Sequence, residues 1–123
     1  MIFLDIINSH AQWKAKFKQA IDNKEQLDVA LIAKDNCCDL GKWLYDPQSV
    51  SQYSQLASYQ ACITIHADFH QQAASIAALI NEGQYEEANK QLIHSSQYAK
   101  LSNAVSASIR RINKEINQPQ PIP

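Results

Sequence analysis

Apolar and polar positions alternate along this chain with a helical beat. Tyr59, Ile63, His66, His70, Ala73, Ala77 and Ile80 follow steps of 4, 3, 4, 3, 4 and 3. Such spacing returns to one side of an α-helix and predicts a seam packed against neighbouring helices. Near the N-terminus Ile6, His10, Trp13, Phe17 and Ala20 repeat the 4, 3, 4, 3 step. Towards the C-terminus Leu101, Val105, Ile109, Ile112 and Ile116 line one stripe, and Tyr85, Ala88 and Leu92 line another. Residues 22–36 carry no clear period, so Leu27–Ile32 reads either as a short helix or as an extended connection.

Breakers mark the boundaries. From Pro47 to Gly83, and again from Gly83 to Pro119, no further Gly or Pro intervenes. Runs of that length are too long for strands and read as helices. Glu82-Gly83 supplies the stop between them, glycine entering the left-handed region without steric cost. Two long helices joined by so short a turn must pack antiparallel. A short helix is expected after Asn36, with Asp35 or Asn36 as its cap and Asp39 in its first turn. The reading is all-α: an antiparallel four-helix bundle over residues 2–21, 37–45, 50–81 and 84–116. Its two long helices are C-terminal and its short helix carries cysteines. Residues 1–117 form the domain, and 118–123, QPQPIP, a disordered tail.

Composition narrows the function. The 123 residues make one domain, and 46% hydrophobic with 19% charged residues excludes general disorder. A net charge of -1 gives no basic excess for nucleic acid. Two glycines are too few for β-turn-rich folds or phosphate-cradling loops. No run reaches the ~18 apolar residues of a membrane span, and the N-terminus lacks a basic region before its apolar run. Three cysteines, two of them adjacent, read as reduced thiols in a cytoplasmic protein.

Three of the four histidines, His10, His66 and His70, fall in helix seams. A buried imidazole needs partners for both nitrogens, at about 1–3 kcal/mol for each one left unsatisfied. Single seam histidines usually meet that need within the core. Three converging in one small bundle point to a metal. His66 and His70, four apart, rise from one face with Cβ atoms about 5–6 Å apart, a spacing that can bite one ion. His10 supplies a third nitrogen from the facing helix. Cys38, at the start of the short helix, is the best fourth donor, because the helix N-terminus favours thiolate. Three imidazoles and one thiolate suit Zn²⁺. Gly41 leaves its face bare for a neighbouring helix, and Trp13 and Trp43 would shield the ion. Spacing alone permits Cys37 as the ligand too.

Three elements stand in order: His10-Ala-Gln-Trp13, an HxxW; Cys38-Asp-Leu40-Gly41-Lys-Trp43, a CxLGxW; and His66-Ala-Asp-Phe-His70, an HxxxH. Together they resemble the CZB family, the chemoreceptor zinc-binding domain of bacteria. The resemblance covers residues 10–70 and assigns the ligands as His10, Cys38, His66 and His70, choosing Cys38 over Cys37. It implies a helical bundle holding one zinc, usually fused to chemoreceptor or diguanylate cyclase regions, where it senses zinc or reactive chlorine species. No such region accompanies this bundle. Either this is a free-standing member acting on a separate signalling partner, the reading that Met1 and the proline-rich end favour, or the chain is a fragment of a larger receptor.

The same residues have plainer readings. Cys37 is either a resolving thiol for oxidised Cys38 or an ordinary small residue. Cys62, four before His66, could face the same site but reads as core packing, and His94 reads as a surface or bundle-edge residue. Asp39 and Asp68 could orient ligand imidazoles but read as a solvated face. Arg110-Arg111 could touch an acidic partner but read as a charged helix face. Catalysis is not expected: four protein ligands close the shell, and no Glu stands between the histidines as in HExxH. Four histidines are too few for a hemerythrin-type iron site. The competing function is a metal-free helical adaptor. Two stripes on long helices also suggest a homodimer.

Overall fold

A computed structural model describes residues 3–93 and 95–117. His94 and the 118–123 tail lie outside the described residues, which form seven helices and no strand. These are α1 (Phe3–Asn23), α2 (Val29–Ala33), α3 (Asp39–Tyr45), α4 (Pro47–Tyr53), α5 (Ala57–Asn81), α6 (Tyr85–Lys90) and α7 (Gln97–Asn117). α5 is the central element: α7 and α2 pack most extensively on it, and α1 lies against α7. Most of the seam of α5 is buried as the period required, with Tyr59, Ala73, Ala77 and Ile80 enclosed and Ile63 half-buried, and Phe69 and Ile76 beside the seam are enclosed as well. Small residues Ala73, Ala74 and Ala77 on the same helix let its neighbours approach closely. Among the described residues no helix is long and apolar enough to cross a membrane.

Two expected helices are each divided. The segment 50–81 breaks at residues 54–56 into α4 and α5, without a glycine or proline at the break. Side chains hold it open: Gln60 Nε2 donates to the Ser54 carbonyl at 2.6 Å, taking an acceptor from the helical ladder. Trp43 stacks on Tyr53 at 5.7 Å and folds α4 back on α3, while the Tyr59 hydroxyl donates to the Leu44 carbonyl. The segment 84–116 likewise breaks into α6 and α7. The Ser96 hydroxyl accepts from Ala99 N–H at 3.1 Å, an N-cap that starts α7 afresh. Buried Leu92 anchors the intervening turn.

The stop at Gly83 is as expected. Its φ of 78° is left-handed, and Gln84 N–H reaches Leu79 O while Gly83 N–H reaches Ile80 O, which together make a Schellman motif. The same pair of bonds ends α1, Glu25 N–H to Ala20 O and Lys24 N–H to Ile21 O. There the left-handed residue is Lys24, φ 54°, without glycine's freedom. Of residues 22–36, the first two extend α1 and the rest form loops around α2, which is capped by Asp28, whose carboxylate accepts from Leu31 N–H at 3.0 Å. Asn81 holds this connection against the end of α5: its side chain accepts from Leu27 N–H at 2.7 Å and donates to Leu27 O at 2.8 Å.

Candidate metal centre

The site forms where α3 begins against the middle of α5. Helix α3 starts at Asp39, two residues later than the expected 37, so Cys38, with φ -85° and ψ 169°, is its N-cap and does not lie in its first turn. Its sulfur takes the capping place of a side-chain oxygen and accepts from Gly41 N–H at 3.4 Å. Gly41 is required for a reason other than helix approach. A Cβ there would lie 1.9 Å from the Asp35 carbonyl oxygen, so the backbone of residues 35–36 fills the space.

From α5, one turn apart, His66 and His70 bring their rings edge to face at 4.5 Å and 88°. Cys38 Sγ lies 3.2 Å from His66 Nε2 and 3.5 Å from His70 Nε2, and the two nitrogens are 3.0 Å apart. Zinc bonds of ~2.3 Å to sulfur and ~2.05 Å to nitrogen, at tetrahedral angles, give edges of ~3.6 Å for S···N and ~3.3 Å for N···N. The observed triangle matches these within a few tenths of an ångström.

Protonation explains why the three atoms face inwards. His70 Nδ1–H donates to the Ile32 carbonyl at 2.7 Å, which leaves Nε2 of His70 as a bare lone pair. It meets a second imidazole nitrogen and a sulfur, so three electron-rich atoms surround one point with too few protons to link them all. A cation there satisfies all three. Among the described residues, buried His66 Nδ1 has no hydrogen-bond partner. Burial, and then the neighbouring His70, push the pKa of His66 down to about 3, keeping its imidazole neutral, as a ligand must be.

The expectation that the helix start favours the Cys38 thiolate is overturned for the thiol by itself. Burial raises its pKa, and the N–H of Gly41 opposes this only in part. Thiolate at this position therefore needs a cation beside it.

His10 is close but differently engaged. Its ring lies on Phe69 at 4.4 Å and its Nε2 is 3.2 Å from the Ser102 hydroxyl on α7. The triangle comprises Cys38, His66 and His70, without His10. His10 and Cys38 do line one cavity of about 20 Å³, room for a single small body. Burial, and then His70, lower the pKa of His10 to about 4.

Trp13 covers His70 edge-on at 5.9 Å, and Trp43 packs on Tyr53 and Tyr59. Cys37 is exposed and donates to Asn36 Oδ1 at 3.3 Å. Cys62 is fully buried with its pKa pushed up to about 12 by that burial, and it stands outside the triangle. A cavity of about 360 Å³, bordered by Trp13, Lys16, Lys34 and Cys37, reaches Cys38 and His70 from one side. Two functional partners escaped the sequence: the Ile32 carbonyl, which any residue type would provide, and Ser102, which belongs to no motif.

An all-helical protein with a Cys-His-His cluster fit for a transition metal is the class that fold and site define. The family model of the chemoreceptor zinc-binding domain, CZB, matches residues 10–77. That is over half of the chain, and the chain belongs to this family. No curated protein and no solved structure matches it.

Proposed function

We propose that the protein is a zinc-dependent regulatory module. Cys38, His66 and His70 would hold the ion, with His10 as fourth ligand in a shell of three imidazoles and one thiolate. The observation that carries this reading is the triangle of Cys38 Sγ, His66 Nε2 and His70 Nε2 at 3.0–3.5 Å. Membership of a zinc-binding family supports the choice of metal. Zinc supplies a Lewis-acidic centre that keeps sulfur as thiolate at neutral pH and binds separate helices together.

The ligands sit on α1, α5 and the start of α3, so the state of the site bears on how these helices pack. Apparent binding energies of roughly 10–16 kcal/mol for structural zinc exceed the few kcal/mol that bias helix packing. Two inputs act on it: scarcity of zinc, and oxidation of Cys38, which removes the soft ligand. The thiolate requires a reducing compartment, which supports a cytoplasmic setting. Output passes by helix repacking to a signalling partner, of the chemotaxis or cyclic-di-GMP kind that the family serves.

Zinc content by native mass spectrometry tests the reading. The wild type is expected to carry one zinc per chain. Cys38→Ala is expected to lower zinc affinity by orders of magnitude while its far-ultraviolet circular dichroism stays helical. One tightly held zinc per chain in that variant overturns the assignment.

A further inference from the structure

The match to the CZB family ends at residue 77, whereas α7 begins at Gln97. Nothing in the family match says how α7 is joined to the metal centre, yet it packs along both ligand-bearing long helices, α1 and α5. Its aromatic contact is Tyr98, which lies between Phe17 of α1 and Phe69 of α5 at 6.0 and 5.3 Å. Its polar contacts run from Glu115 to Ser58 at 2.6 Å, and from Ser102 to His10 at 3.2 Å. The last of these ends on a candidate ligand.

Three surroundings set the His10 ring. Phe69 lies against it, Ser102 holds Nε2, and the cavity of about 20 Å³ shared with Cys38 borders it as well. An imidazole that coordinates a metal through one nitrogen donates the other N–H to an acceptor, which fixes its tautomer and orientation. His70 shows that arrangement with the Ile32 carbonyl. Ser102 can provide it for His10, since a hydroxyl accepts as well as donates.

We infer that Ser102 is the positioning residue that orients His10 for zinc and couples the metal centre to α7. In this arrangement Nε2–H of His10 donates to Ser102 Oγ, and Nδ1 is the nitrogen left for the ion. α7 then feels the state of the site through a hydrogen bond that strengthens when His10 is a ligand. This rests on the zinc reading proposed above and deepens it by naming the element that carries the response.

The test compares full-length wild type, Ser102→Ala, Ser102→Thr and, as a control one turn along α7, Ser106→Ala. Zinc affinity is read by competition with a chromophoric chelator, and helix protection by hydrogen exchange with and without zinc. Ser102→Ala is expected to lose about 10- to 100-fold in affinity, the range for removing such orienting partners. It should also lose the zinc-dependent gain in protection over 97–117 while keeping that over 57–81. Ser102→Thr, which keeps the hydroxyl, restores both, and Ser106→Ala behaves as wild type. Melting of the zinc-stripped proteins separates a general loss of stability from loss of coupling. Unchanged or tighter zinc binding in Ser102→Ala overturns the inference and leaves the zinc reading standing. A wild type that takes up no zinc overturns both.

Discussion

Gly41→Ala tests how closely the loop before α3 controls the cysteine ligand. The added Cβ would lie 1.9 Å from the Asp35 carbonyl oxygen, 2.8 Å from its carbon and 2.9 Å from Asn36 Cα. All three are backbone atoms, so no side chain can swing aside. Ordinary contact starts near 3.4 Å, so either the 35–36 backbone or α3 must move by about 1.5 Å. Overpacking of this kind costs roughly 1–3 kcal/mol, and a rigid backbone obstacle puts it at the upper end. Alanine returns about 1 kcal/mol of helix propensity. The net loss is about 2 kcal/mol, which for 123 residues lowers Tm by about 8 °C. The effect on zinc is larger in proportion. Cys38 follows Asn36 by two residues, and metal–ligand distances tolerate only ~0.2 Å of error. Displacement of the loop should therefore weaken zinc binding at least ~10-fold. Thermal melts of the zinc-stripped protein and chelator competition with the loaded protein measure the two effects separately. A variant melting within about 2 °C of wild type and binding zinc within about twofold would refute the reasoning.

Acidification should destabilise the zinc-stripped protein through His10 and His66. Their folded pKa values, about 4 and about 3, lie below the ordinary 6.5, so the unfolded chain binds more protons and stability falls as pH drops through 6.5 towards 4. At pH 5 each contributes a loss of about 2 kcal/mol; urea midpoints that match at pH 5 and pH 7.5 would contradict it. Lys24→Gly relieves the left-handed backbone at the end of α1. It should stabilise the protein by about 0.5–1 kcal/mol, the strain of ~1–2 kcal/mol less glycine's greater unfolded-state entropy. A lower urea midpoint in that variant would count against the strain argument.

The helical character of the chain was readable because apolar positions recur every three or four residues and glycine is scarce. Gly83 was readable because one residue type dominates left-handed helix stops. Lys24 makes the same stop and gave no signal, since its geometry is imposed by the bonds from Lys24 and Glu25 back to α1. The breaks at 54–56 and 91–96 were hidden for a related reason. They depend on Gln60 reaching the Ser54 carbonyl and on Ser96 capping α7, local bonds that compete with a helix which propensity alone would continue. At the site, His66 and His70 declared themselves by spacing, and Cys38 by the element in which it stands. Its role as N-cap, and the burial that holds its thiol protonated when alone, required the path of residues 35–38. His10 was legible as a seam residue but its hydrogen bond to Ser102 was not, because the partners lie 92 positions apart in the chain.

The bond from His70 to Ile32 has a consequence for how such proteins diverge. Its acceptor is a peptide carbonyl on a five-residue helix, and that oxygen survives every replacement of the side chain. Alanine scanning would pass over position 32 as a packing residue and miss its hold on the imidazole. Replacement of buried Ile32 by another apolar side chain leaves the bond intact so long as the main chain keeps its course, so the contact can persist between relatives that share no residue there.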